Sequence, residues 1–154
     1  MIFLFITIIL IVADQATKIC TINFLKPIGT VEFIKNIISF TYVENRGAAF
    51  GILQNSRWIF IVFTVVVIAA MVIYTIKIKP KSTLYMLSAS LIVAGGVGNL
   101  IDRIFRGYVV DMIEVTFVNY PVFNFADICV VIGAILLCIF VICDKDLKKQ
   151  NGEN

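Results

Sequence analysis

The chain contains no histidine. That absence removes histidine general bases, histidine metal ligands and every Ser-His or Cys-His pair, so any acid/base chemistry must rest on carboxylates. Charge is also scarce: 15% of the 154 residues are charged, against about a quarter in an ordinary soluble domain. The 13 basic and 10 acidic residues give a net +3 scattered between apolar blocks. No basic stripe or basic-aromatic interleaving tracks a phosphate backbone, so no nucleic-acid partner is expected. Cysteine is limited to Cys20, Cys129, Cys138 and Cys143, which lack C-x-x-C spacing. Neither a metal site nor a disulfide framework follows from them, and they are expected to be small buried side chains.

What is abundant is apolar sequence: 60% of the residues are hydrophobic and the mean hydropathy is +1.00. This is the composition of a membrane protein. Four apolar blocks, about 2–24, 58–76, 83–101 and 123–143, each approach the roughly 20 residues that a helix needs to cross a bilayer. Residues Met1 to Ala13 carry no basic leader and apolar sequence runs on past Ala16, so the first block is expected to be a retained helix and not a cleaved signal. Four spans put both termini on one side. Lys77, Lys79 and Lys81 lie in a short connection, and Lys145, Lys148 and Lys149 in a polar tail, 144–154, expected to fray. The positive-inside rule makes both segments cytoplasmic and turns the two longer connections outward. In the first, Ile37 to Val43 has strand composition and Glu44-Asn45-Arg46-Gly47 is turn-like; in the second, Tyr108-Val109-Val110 and Val115 to Val118 flank Asp111. The expected fold is an all-α membrane protein, one integral domain over 1–154 with four transmembrane helices and a small extracytoplasmic β cap.

Charged and polar side chains inside such blocks are costly, so each asks for a partner, a wet cavity or a task. Asp14 and Lys18 stand four apart on one helical face, in the favourable order for an ion pair; they either orient the helix or serve a site. Asn99, Asp102 and Arg103 follow the small-residue run Gly95-Gly96-Val97-Gly98, which brings an amide, an acid and a guanidinium to a close helix contact. Asp102 and Arg103 could instead satisfy one another. Asn124 and Asp127 share a face at the start of the last block, as cap or as site, and Asp111 sits between Val110 and Met112. If Asp111 and Asp127 meet at a partly desolvated surface they cannot both ionise easily, so one keeps a proton while the other can deprotonate water. That division of labour suits peptide hydrolysis.

Five ordered motifs, Asp14-Gln15-x-x-Lys18, Asn45-Arg46-Gly47-Ala48-Ala49-Phe50, Gly95-Gly96-x-Gly98-Asn99-Leu100-Ile101-Asp102-Arg103, Gly107-x-Val109-Val110-Asp111 and Phe123-Asn124-x-Ala126-Asp127, resemble lipoprotein signal peptidase, the bacterial type II signal peptidase. The resemblance runs from about residue 14 to 133. It implies an aspartyl endopeptidase of the bacterial cytoplasmic membrane that removes the signal peptide of a prolipoprotein just before its diacylglyceryl-modified cysteine. It also implies Asp111 and Asp127 as the catalytic pair, no metal and no cofactor. Asp14, Lys18, Asn45, Gly47, Asn99, Asp102, Arg103 and Asn124 then support the site or bind substrate, with Asp102 the chief rival as a catalytic acid. The Asn45 segment resembles the outer-surface loop that closes over substrate. Met112 stands where the family commonly has an aromatic residue. The expected partners are the lipid-modified precursor and membrane lipid, the expected state a monomer, and the expected position of the site the outer surface. A small transporter or proton relay, or a scaffold, would use the same buried acids; neither would turn over a peptide, and no transporter repeat is visible.

Overall fold

The computed structural model describes residues 2–47, 54 and 56–143. Four long helices dominate: α1 (Ile2–Cys20), α2 (Arg57–Ile78), α3 (Thr83–Phe105) and α4 (Phe125–Cys143). A π-helical turn, Thr21–Leu25, extends α1 to a 24-residue span, and all four helices are long and apolar enough to cross a membrane. At 1.5 Å per residue they are roughly 28–36 Å long, the thickness of the hydrocarbon core. Their outward faces carry Ile8, Val12, Phe63, Val66 and Val131 exposed, as a lipid-facing surface requires.

α3 is the central helix, packed against α1, α2 and α4. Its buried face is built from Ser88, Ala89, Ser90, Ala94, Gly95 and Gly98, small residues that let neighbouring backbones approach. A Cβ on Gly95 would collide with the carbonyl of Ala126, so glycine there sets the α3–α4 separation. At one end of the bundle Tyr85 packs with Ala89 and Phe140, and its hydroxyl lies 2.8 Å from that of Thr75. The α2–α3 connection is tight. Lys79 takes a left-handed conformation (φ +48°) and its N–H returns to the carbonyl of Thr75, Pro80 blocks further helix, and Ser82 caps α3 by accepting from the Tyr85 N–H.

At the opposite end lies an antiparallel sheet of three strands in the order β1 (Thr30–Ile34), β2 (Ile38–Asn45), β3 (Val109–Val115). The expected strand over Ile37 to Val43 is β2, and the second connection supplies its partner β3: Phe40 faces Ile113, Val43 faces Asp111 and Asn45 faces Val109. A bridge between Ile113 and Phe123 then hands the chain from β3 to α4.

Several expectations are corrected. Glu44 and Asn45 belong to β2 and are not a turn, and β1 was not anticipated. α3 runs on to Phe105, so Asp102, Arg103 and Phe105 are helical, while α4 begins at Phe125. Of the cysteines only Cys129 is buried; Cys20, Cys138 and Cys143 lie on outward helix faces, where lipid suits a thiol as well as a core does. Ala48 to Phe50 of the second motif and the tail 144–154 lie outside the described residues.

Candidate active site

The first turn of α4 supplies one acid. Asn124 caps the helix: its Oδ1 accepts from the Asp127 N–H (3.0 Å), and Asp127 Oδ2 accepts from the Asn124 N–H (3.1 Å). This reciprocal pairing satisfies two donors that a helix start leaves open and fixes both side chains. The cap is not the whole role of these residues. With its oxygen committed, Asn124 turns Nδ2 toward Asp111 Oδ1 (2.6 Å) and Asn99 Oδ1 (3.2 Å), and Asn99 in turn donates to Asp127 Oδ1 (2.8 Å). One amide therefore ties together the strand acid and the helix acid.

Asp111 is 1% exposed on β3. Its second oxygen accepts from Asn45 Nδ2 (2.8 Å), and Asn45 is oriented because its own Oδ1 takes the Gly47 N–H (3.0 Å). Burial pushes the Asp111 carboxyl up to about 7, with the charge of Asp127 acting in the same direction, while the Asn45 and Asn124 amides and Lys18 pull it down.

Beneath them lies a buried ionic cluster. Lys18, fully buried, reaches Asp14 (3.0 Å), Asp102 (3.1 Å) and Asn99 Oδ1 (2.9 Å). Asp14 spends its other oxygen on the Ala126 N–H at the start of α4 (3.0 Å), and Asp102 accepts the Val110 N–H (3.0 Å), one residue before Asp111. Asp14 and Asp102 therefore brace the two elements that carry Asp127 and Asp111. Lys18 does not snorkel, and Asp102 does not pair with Arg103; its partners are Lys18 and Arg106. Arg103 instead donates to the Gly47 carbonyl (3.3 Å), lies over the Phe60 ring, and keeps its charge within electrostatic reach of Asp127 and Asp111.

A model described as Signal peptidase (SPase) II matches residues 6–143. The chain belongs to the signal peptidase II family. It is 44% identical over 141 residues to a lipoprotein signal peptidase of Clostridium acetobutylicum, covering 90% of this chain and 92% of that one. It is 43% identical over 142 residues to one of Clostridioides difficile, covering 92% and 95%. A solved bacterial membrane enzyme matches with TM-score 0.85 at 33% identity, covering 95% of this chain and 90% of that chain; a second reaches 0.83 at 34%, covering 93% and 94%.

In this signal peptidase II chain the two candidate acids and the eight supporting residues named with them fall in or against one polar cluster at the sheet end of the bundle. Gln15 carried no role of its own within the first motif, and Arg106 was not singled out from the sequence at all. Gln15 Nε2 bridges Asp14 (3.0 Å) and the Gly98 carbonyl (3.2 Å), while Arg106 joins Asp102 to Gln15 Oε1 (3.2 Å). The four-residue step from Asp102 to Arg106 was the available signal for the second. Gly98 was also passed over as an individual position: a Cβ there would collide with the Asp14 carboxylate. Gly98→Ala is expected to lower stability by about 1–3 kcal/mol, outweighing the roughly 1 kcal/mol that alanine gains over glycine in a helix. A rise in the thermal midpoint of the purified variant would show that Asp14 yields freely.

Proposed function

We propose that this chain is a membrane aspartyl endopeptidase that removes the signal peptide from diacylglyceryl-modified prolipoproteins, cleaving before the lipidated cysteine. The observation that carries the proposal is the joining of Asp111 and Asp127 through Asn124, with Asp111 buried and its carboxyl raised to about 7. A family relationship supports it: the relatives are named lipoprotein signal peptidases.

In the mechanism, Asp111 and Asp127 hold one proton between them. The ionised acid takes a proton from a water that attacks the scissile carbonyl, and the protonated acid hydrogen-bonds that carbonyl oxygen and then protonates the leaving amine. Asn45 and Asn124 keep the Asp111 carboxyl in one orientation, so little reorganisation is needed as charge develops. Arg103 places positive charge near the pair and steadies the Gly47 segment, where the precursor backbone passes. Lys18, Asp14, Asn99 and Asp102 hold the carriers of the acids in register and do not react.

The Lys77, Lys79 and Lys81 connection lies on the cytoplasmic side, with both termini, which puts the sheet and the acids at the outer surface of a bacterial cytoplasmic membrane. The precursor's signal helix remains among lipids while its scissile bond meets the acids, so the bilayer contributes much of the orientation. The enzyme acts as a monomer on lipid-embedded substrate.

Purified protein in detergent, given a diacylglyceryl-modified prolipoprotein, is expected to release the signal peptide. As pH rises through about 7 the Asp111 carboxyl loses its proton, so kcat/KM should fall on the alkaline side. A profile flat well into the alkaline range would remove Asp111 as the titrating partner. A transporter or scaffold would release no peptide at any pH.

A further inference from the structure

Side chains alternate along a strand, so Ile113 stands on the same face of β3 as Asp111, two residues further on. Its register partner Phe40, and Val31 opposite Phe40 on β1, continue that row across the sheet. The row forms one wall of an apolar cavity of about 490 Å³, within the size range of small-molecule sites. The facing wall comes from the end of α1 and its π-helical turn, including Thr21 and Leu25. Met112, next to Asp111, and Phe125, next to Asn124, also line it. The groove therefore touches both elements that carry the acids without including either acid.

We infer that this groove receives one acyl chain of the substrate's diacylglyceryl group, an assignment that rests on the peptidase reading above. Its chemistry suits a polymethylene chain and little else. The lining is almost wholly apolar; among the described residues Thr17 and Thr21 are its only hydroxyl groups, and that of Thr17 is already donated to the Asp14 carbonyl (2.7 Å). A peptide laid there would bury backbone N–H and C=O groups without partners, which is costly. At its rim Phe24, Ile28 and Val31 are exposed and continue the lipid-facing surface of α1 that includes Val12 and Ile19. A chain can therefore enter sideways from the bilayer without crossing water. The substrate's own chain is favoured over that of a bilayer lipid because the lipidated cysteine follows the scissile bond directly. With that bond at Asp111 and Asp127, the thioether-linked glyceryl group and its acyl chains start near Met112 and Phe125, one and two residues from the acids.

The consequence is chain-length selectivity that a filled groove abolishes. The test uses the full-length enzyme in detergent with one prolipoprotein sequence carrying either dipalmitoylglyceryl or dihexanoylglyceryl, the two competing in the same micelles. Wild type is expected to favour the dipalmitoyl form by at least about tenfold in kcat/KM, since even one methylene in an apolar pocket is worth about that much. Val31→Trp and Ile28→Trp, both at exposed rim positions that tolerate bulk, should bring the dipalmitoyl rate down to the dihexanoyl rate while the latter stays near wild type. An unchanged preference in both variants, or no preference in wild type, overturns the assignment; so does an equal loss on both substrates, which would make the groove a structural feature only. Failure of wild type to cleave either substrate would instead defeat the peptidase reading itself.

Discussion

Asp111→Asn and Asp127→Asn are each expected to lower kcat by roughly 10³-fold or more, while both variants still insert and purify as folded protein. The size of the effect follows from the chemistry: general acid and general base steps each contribute up to about 10⁴-fold, and an amide can neither take a proton from water nor give one to an amine. The fold should survive because neither acid neutralises a buried cation directly. Asp111 accepts from two asparagine amides and Asp127 from an asparagine amide and a backbone N–H. An isosteric amide at either place loses one acceptor and keeps the shape, a mismatch of about 1–3 kcal/mol. Asp102→Asn should behave differently. Asp102 spends its oxygens on the Val110 N–H, the buried Lys18 and Arg106, so some turnover should persist. Circular dichroism and kinetics on the three variants decide the matter: near wild-type turnover after substitution of Asp111 or Asp127 would move the catalytic assignment to Asp102.

The second large effect concerns stability as much as rate. Lys18→Met is expected to destabilise the protein by about 3–5 kcal/mol, the loss typical when one partner of a buried ion pair is removed. Lys18 is completely buried and contacts Asp14 and Asp102 together, so its removal leaves two buried carboxylates facing each other with Arg106 at one of them only. Combining Lys18→Met with Asp14→Asn should recover part of the thermal midpoint by removing the surplus negative charge. Activity should not return with it. Asn99 would still have lost the shorter of the two bonds to its oxygen, and Asn99 is the side chain that donates to Asp127. A single variant with a wild-type midpoint would show that the cluster is relaxed by water and does not depend on the ion pair.

Much of this architecture was legible in the sequence because the bilayer imposes a coarse rule that composition obeys. Long apolar blocks gave the spans, and the rarity of charge made each intramembrane polar residue conspicuous. The acids at positions 111 and 127 were legible for the same reason, one isolated between Val110 and Met112 and the other three residues after a capping asparagine. What escaped detection has a physical cause in each case. β1 is a five-residue edge strand, exposed throughout, and its Thr30-Val31-Glu32-Phe33 alternation is too short to stand out from the apolar sequence around it. The bridge from Arg106 to Gln15 joins residues 91 positions apart, a contact that no local spacing encodes. The choice of Lys18 and Arg106 over Arg103 as partners of Asp102 depends on which face of α3 meets α1. Only the packed small-residue seam, with Gly98 beneath Asp14, settles that orientation.

The central claim, that Asp111 and Asp127 together hydrolyse one peptide bond in a lipidated precursor, is tested most directly by the masses of the products. Purified full-length enzyme is incubated with a diacylglyceryl-modified prolipoprotein, and the products are resolved by mass spectrometry for wild type, Asp111→Asn and Asp127→Asn. The account predicts two products from wild type, cut immediately before the lipidated cysteine, and intact precursor from both variants. Cleavage at a different bond, or the same two products formed at the wild-type rate by either variant, would contradict it.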